Sequence, residues 1–147
     1  MAVILPDLRI ITMSKVKVEN SYNTIFIDPR VAAEAARKFA RKASPISKND
    51  ALKIGKEYAS LIRAQVDPDA LIYIFGSTVS GKAHNNSDID IAVVSKTNDS
   101  AIYDAFANLS ILANRISWDI EVHAVATTDW KKGDPHILEI KNRGIPV

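Results

Sequence analysis

The segment IFGSTVSGKAHNNSDIDIAVVS, residues 74–95, sets two aspartates, Asp88 and Asp90, at the mouth of an apolar run. Side chains alternate along a strand, so in DIDIAVVS both aspartates point to one face and Ile89, Ile91 and Val93 to the other. Ala92 and Val94 continue the aspartate face, which is therefore apolar further in. An unpartnered buried carboxylate is costly, and two on one face, about 7 Å apart, are worse. A fold built on this strand must leave the pair in water at the strand's start or give it a cation. Carboxylate oxygens are the usual ligands of Mg²⁺ and Mn²⁺.

The turn before the strand favours the cation. Gly76 permits a tight turn and close approach of backbone to a ligand. Ser77 offers a hydroxyl, and the amides after it can face an anion. Gly81 allows a second irregular turn, and Lys82 adds a positive charge. Taken singly, a Gly-Ser pair is an ordinary strand-to-helix turn and Asp-x-Asp an exposed strand start. Together, an anion-binding turn and a cation-binding carboxylate pair suit a nucleoside triphosphate with its Mg²⁺.

The rest of the chain supplies a scaffold. Apolar residues recur at helical spacing over 48–64 (Ala51, Ile54, Tyr58, Leu61, Ile62), and LIYIF at 71–75 reads as a strand. A helical turn is expected near 78–83. A helix is expected over 100–114 with Ile102, Phe106, Leu109, Ile111 and Leu112 as its core, then a strand at 118–126 and a short helix at ILEIKN. This order predicts an α/β (α+β) domain over 46–147, with one small sheet covered by helices. Residues 1–45 form an extension: strands at 15–18 and 24–27, then a helix with Asp28 as its N-cap and Pro29 at its first position. Ser44-Pro45 ends it.

Charge divides the same way. Residues 1–45 carry eight Lys/Arg against four Asp/Glu, and the remainder eleven against thirteen, so +4 and −2 sum to the net +2. The basic extension ends in Arg37, Lys38, Arg41 and Lys42, which suits a helix C-terminus. It is read as a solvated face, with nucleic acid or an acidic partner as the other use; dimerisation through the extension is a further possibility. Cysteine is absent, which excludes disulfides and thiolate chemistry. No apolar run reaches the ~20 residues of a membrane span, and Pro6 and Asp7 interrupt the apolar N-terminus. The expected location is the cytoplasm, with no membrane partner.

Gly76-Ser77, ten residues, then Asp88-Ile-Asp90 follows the pattern GS-x10-D-x-D. With Gly81 and Ser87 in place, residues 46–147 resemble the minimal nucleotidyltransferases of the DNA polymerase β superfamily. The resemblance implies the nucleotidyltransferase fold, a small mixed sheet flanked by helices, and transfer of a nucleoside monophosphate from an NTP, ATP first, to an acceptor hydroxyl. It implies two Mg²⁺ ions, with Mn²⁺ as a substitute, on Asp88, Asp90 and a third carboxylate. Gly76, Ser77, Gly81, Lys82 and Ser87 would serve the phosphates. In SWDIEVHAV the third carboxylate is Glu121 or Asp119, which share one face of the expected strand. Glu121 is taken first for its distance from the following TTDW, although aspartate is the commoner type. His123 and His84 read as a packed histidine and a solvated loop histidine, and Glu139 as helix surface.

Minimal nucleotidyltransferases of this kind often accompany a HEPN-type toxin as its antitoxin, adding AMP to a toxin tyrosine. The resemblance therefore implies a HEPN-type protein as partner and acceptor. Two other readings use the same residues: a subunit that binds nucleotide and inhibits by contact, and an enzyme acting on a small hydroxylated molecule.

Overall fold

In the computed structural model of the chain, the described residues are 16–19, 24–41, 44–100 and 102–147; of residues 16–19, 24–27, 34, 37–41 and 100 only the backbone is described. They fall into two compact units dividing after Lys42. In the first, β1 (Val16–Glu19) and β2 (Thr24–Ile27) pair antiparallel with Val16 opposite Ile27, and α1 (Pro29–Arg41) follows. Asp28 caps α1 as expected: its Oδ1 accepts the Arg30 amide at 2.8 Å. The Arg30 guanidinium bonds to the same carboxyl and holds it below the usual aspartate range. The apolar N-terminus and the basic side chains Arg37, Lys38, Arg41 and Lys42 lie outside the described residues.

The second unit is built on the strand that carries Asp90. β4 (Ile89–Ser95) lies inside a four-stranded sheet of order β5-β4-β3-β6, where β3 is Leu71–Phe75, β5 is Ile120–Ala126 and β6 is Ile145–Pro146. β3 pairs antiparallel with β4 and β6, and β5 runs parallel to β4. The sheet is therefore mixed, as expected.

Alternation along β4 creates two cores. Ile89, Ile91 and Val93 point into the larger one, under α2 (Lys48–Gln65) and α5 (Ile102–Ile116). α2 starts where Ser47 caps it, its Oγ accepting the Asp50 amide at 3.1 Å, and buries Ala51, Tyr58, Ala59 and Ile62. The Tyr58 hydroxyl donates to the Leu109 carbonyl at 2.8 Å, pinning α2 to α5; burial pushes its pKa up. On the other face, Phe75, Ala92, Val94 and Val125 pack with Ile137 and Ile140 of α7 (Pro135–Arg143), beside Trp130 of α6 (Thr127–Lys132). The aspartate face is thus apolar further in, and this smaller core props it.

α5 departs from the expected packing. Leu109, Leu112 and Ala113 are buried, whereas Ile102, Phe106 and Ile111 are exposed at 38%, 47% and 57%. The apolar residues cover more of the helix circumference than α2 and the sheet can hide. Ahead of α5 lies a short turn of helix, α4 (Thr97–Ser100). Its Asn98 is buried, and Nδ2 donates to the carbonyls of Val93 and Val125 at 2.9 and 3.0 Å, tying β4 to β5. None of the helices among the described residues is long and apolar enough to cross a membrane.

Candidate active site

β3 ends at Phe75, and the chain turns at Gly76 into the short helix α3 (Ser77–Ser80). Gly76 has φ 78° and ψ −155°, a region that side chains exclude almost completely. A Cβ there would also meet the Asp90 carboxylate. The backbone of the turn therefore lies directly against that side chain, and only glycine permits it. Gly81 closes α3 in the left-handed conformation, φ 77° and ψ 14°, its amide bonded to the Ser77 carbonyl. Lys82 donates to the same carbonyl through its amide, at 3.1 Å, and its side chain is exposed.

Register places the acids. Phe75 lies opposite Asp90 on one side, and Glu121 opposite Asp90 on the other. Neighbouring strands are about 4.8 Å apart, so these two carboxylates share one end of one face. One row further in, Ala92 lies opposite His123. The His123 Nε2 is 3.3 Å from Asp90 Oδ1. Asp90, Glu121 and His123 each bring one ligand atom to within 4.8 Å of the other two. Two carboxylate oxygens and an imidazole nitrogen form a donor set that a divalent cation accepts. Asp88 sits half-buried just before β4, one residue ahead of the strand's start.

The strand expected over 118–126 starts two residues later than expected. β5 begins at Ile120, so Asp119 lies in the preceding turn, 8% exposed. There its amide donates to the Ser117 hydroxyl at 3.1 Å and that hydroxyl donates to Asp119 Oδ2 at 3.2 Å. Its carbonyl accepts the Ile89 amide at 2.7 Å, which starts the β4–β5 ladder.

The remaining expected residues are spread around this centre. Ser77 is half-buried at the start of α3. Ser87 closes the loop before β4: its hydroxyl accepts the His84 amide at 2.9 Å and its own amide donates back to the His84 carbonyl at 2.9 Å. His84 is exposed, as expected, and Glu139 is exposed on α7. His136 of α7 was not singled out by the sequence. Its ring lies 5.6 Å from Phe75 and 5.8 Å from His123, and Phe75 meets His123 edge-on at 4.9 Å. Nothing local in PHILEI signals this, because α7 reaches the site only through the fold.

Asp90 and Glu121 thus stand together on one face of the mixed sheet, beside the Gly76 turn. The family described as "Polymerase beta, Nucleotidyltransferase" matches residues 47–141, and the chain belongs to it. Its general chemistry is nucleotidyl transfer. A crystal structure of a "putative nucleotidyltransferase" aligns with 63% of this chain and 95% of its own, at 24% identity and a TM-score of 0.45. At that score it adds nothing to the family assignment. Among curated proteins none matches significantly.

Proposed function

We propose that this domain transfers a nucleoside monophosphate, AMP first, from an NTP to a hydroxyl of a partner protein. Asp88, Asp90 and Glu121 are its acidic set in this proposal. The observation that carries it is the register Asp90–Glu121 beside the glycine turn. The Asp90 carboxylate lies against the Gly76 turn and 3.3 Å from His123 Nε2, so it is positioned before any ligand arrives.

Asp88, Asp90 and Glu121 would hold the divalent ions, which would supply charge stabilisation of the phosphates and activation of the attacking hydroxyl. The chain's own residues do the rest. The Ser77 hydroxyl and the first amides of α3 bind the β- and γ-phosphates. This holds the bond between the α-phosphorus and its bridging oxygen in line with the acceptor. The acceptor oxygen bonds to the α-phosphorus, the bridging bond breaks, and pyrophosphate leaves. Glu121, exposed at the rim, takes the proton of the acceptor hydroxyl.

A protein acceptor is supported by the exposed apolar side of α5, where Tyr103 is 88% and Phe106 47% exposed. The minimal nucleotidyltransferases that the sequence resembles point to a HEPN-type toxin, which would make this chain the antitoxin. The test is label transfer from α-labelled ATP in host lysate, beside Asp90→Ala. A labelled protein band that vanishes in the variant supports the proposal. A labelled small product moves the acceptor to metabolites. Binding of ATP with no transfer leaves an inhibitor that acts by contact.

A further inference from the structure

Mg²⁺ takes oxygen ligands, and an imidazole beside its carboxylates is an unusual choice. His123 is in that place. It lies diagonally across the β4–β5 ladder from Asp90, within reach of a long side chain. Its contact with Asp90, 3.3 Å, is longer than the 2.7–2.9 Å typical of a charge-assisted hydrogen bond. It is also close to the separation of neighbouring ligands around one ion. With bonds of about 2.1 Å that edge is about 3.0 Å in an octahedron and about 3.4 Å in a tetrahedron.

The ring is also held for the task. Phe75 meets it edge-on and His136 lies against it. Its side chain is 29% exposed and that of Asp90 23%, so both are fixed yet reachable. Glu121 is exposed, and its ligand oxygen lies within 4.8 Å of those of Asp90 and His123.

We infer that His123 is a nitrogen ligand, and that with Asp90 and Glu121 it makes a mixed site selecting a first-row transition-metal dication over Mg²⁺. Ions from Mn²⁺ to Zn²⁺ accept imidazole as well as carboxylate, and their affinity for such a site rises through that series. The inference rests on the proposed function only in assigning Asp90 and Glu121 as ligands; the selectivity belongs to His123.

The experiment is metal binding to the full chain without nucleotide. Equilibrium dialysis with Mg²⁺, Mn²⁺ and Co²⁺ is read beside the visible spectrum of bound Co²⁺, for wild type, His123→Asn and His84→Asn. His84→Asn controls for surface imidazole. Wild type is expected to bind Mn²⁺ and Co²⁺ at least about tenfold more tightly than Mg²⁺. His123→Asn should lose about tenfold or more for Co²⁺, keep its Mg²⁺ affinity and change the Co²⁺ bands, with His84→Asn unchanged. Equal losses for Mg²⁺ and Co²⁺ would overturn the inference and leave His123 as a positioning residue for Asp90. Unchanged Co²⁺ binding and spectrum would also overturn it.

Should His123→Asn unfold, the wild type answers by NMR. The chain has three histidines, and Zn²⁺ must shift the His123 Nε2 resonance as a bound nitrogen. An unshifted His123 refutes the inference. Transfer is assayed separately with Mg²⁺. Absence of transfer with His123-dependent Co²⁺ binding would sink the proposed function and leave this site standing.

Discussion

Replacing Gly76 by alanine separates backbone strain from the contact with Asp90. At φ 78° and ψ −155°, a non-glycine residue costs on the order of 1–3 kcal/mol. The added Cβ also falls on the Asp90 carboxylate, and relieving such overpacking costs about another 1–3 kcal/mol. Gly81 is the control. Its φ is 77°, but a Cβ there meets nothing within 4 Å, so Gly81→Ala carries only the left-handed penalty of about 1–2 kcal/mol. Gly76→Ala should therefore be the less stable variant by about 1–3 kcal/mol, a Tm difference on the order of 4–20 °C for a domain of this size. The assay is thermal unfolding by circular dichroism with nucleotidyl transfer measured below both transitions. Displacing Asp90 by about 1 Å should cost Gly76→Ala on the order of a hundredfold in transfer. Equal Tm values for the two variants, with transfer intact in Gly76→Ala, would mean that the Asp90 carboxylate does not depend on the space left by Gly76.

Other substitutions test the remaining parts. Glu121→Gln should abolish transfer and shift stability by no more than about 0.5 kcal/mol, since the residue is exposed. Asp119→Ala should do the reverse, destabilising by about 1–3 kcal/mol through the Ser117 turn while transfer survives in the folded fraction; paired unfolding and transfer assays distinguish them. Asn98→Ala should cost about 2–4 kcal/mol in urea unfolding, because it leaves the Val93 and Val125 carbonyls without this donor. Hydrogen bonds from the Thr127 hydroxyl to Asp99 and from the Ser95 hydroxyl to Asp67 hold both carboxyls below the ordinary aspartate value of 3.8. Their folded pKa values are depressed, so their stabilisation is present above about pH 4 and is lost as pH falls through the folded values. Urea midpoints measured from pH 6 to pH 3 should fall less steeply at the acid end in Asp99→Asn and Asp67→Asn than in wild type.

What could be read from the sequence was local. The alternation of IDIAVV sends Ile89, Ile91 and Val93 to one core and Ala92 and Val94 to the other, and both assignments hold. The Gly-Ser turn and α2 announce themselves by residue type and spacing, and Asp28-Pro29 marks its helix start. What could not be read depends on partners far along the chain. The start of β5 is fixed by the Ser117 turn and by pairing with β4, which leaves Asp119 in the turn and Glu121 in the strand. α6 was not foreseen: it lacks a cap of its own, and Asp99, 28 residues earlier, accepts the Thr127 amide at 2.7 Å. β6 is two residues, one of them proline, and exists because Tyr73 and Ile74 offer it an edge. His123 lies on the Glu121 face that parity gives it, but its contact with Asp90 follows from the β4–β5 register.

In the proposed function, this acidic site moves the nucleotidyl group of an NTP and releases pyrophosphate. The most direct measurement compares ATP labelled at the α-phosphate with ATP labelled at the γ-phosphate, in host lysate with divalent metal, beside Asp90→Ala. The α-label is expected to enter the acceptor and the γ-label to leave as pyrophosphate, and both events should stop in the variant. Entry of γ-label into the acceptor, or α-transfer that persists without Asp90, would contradict it.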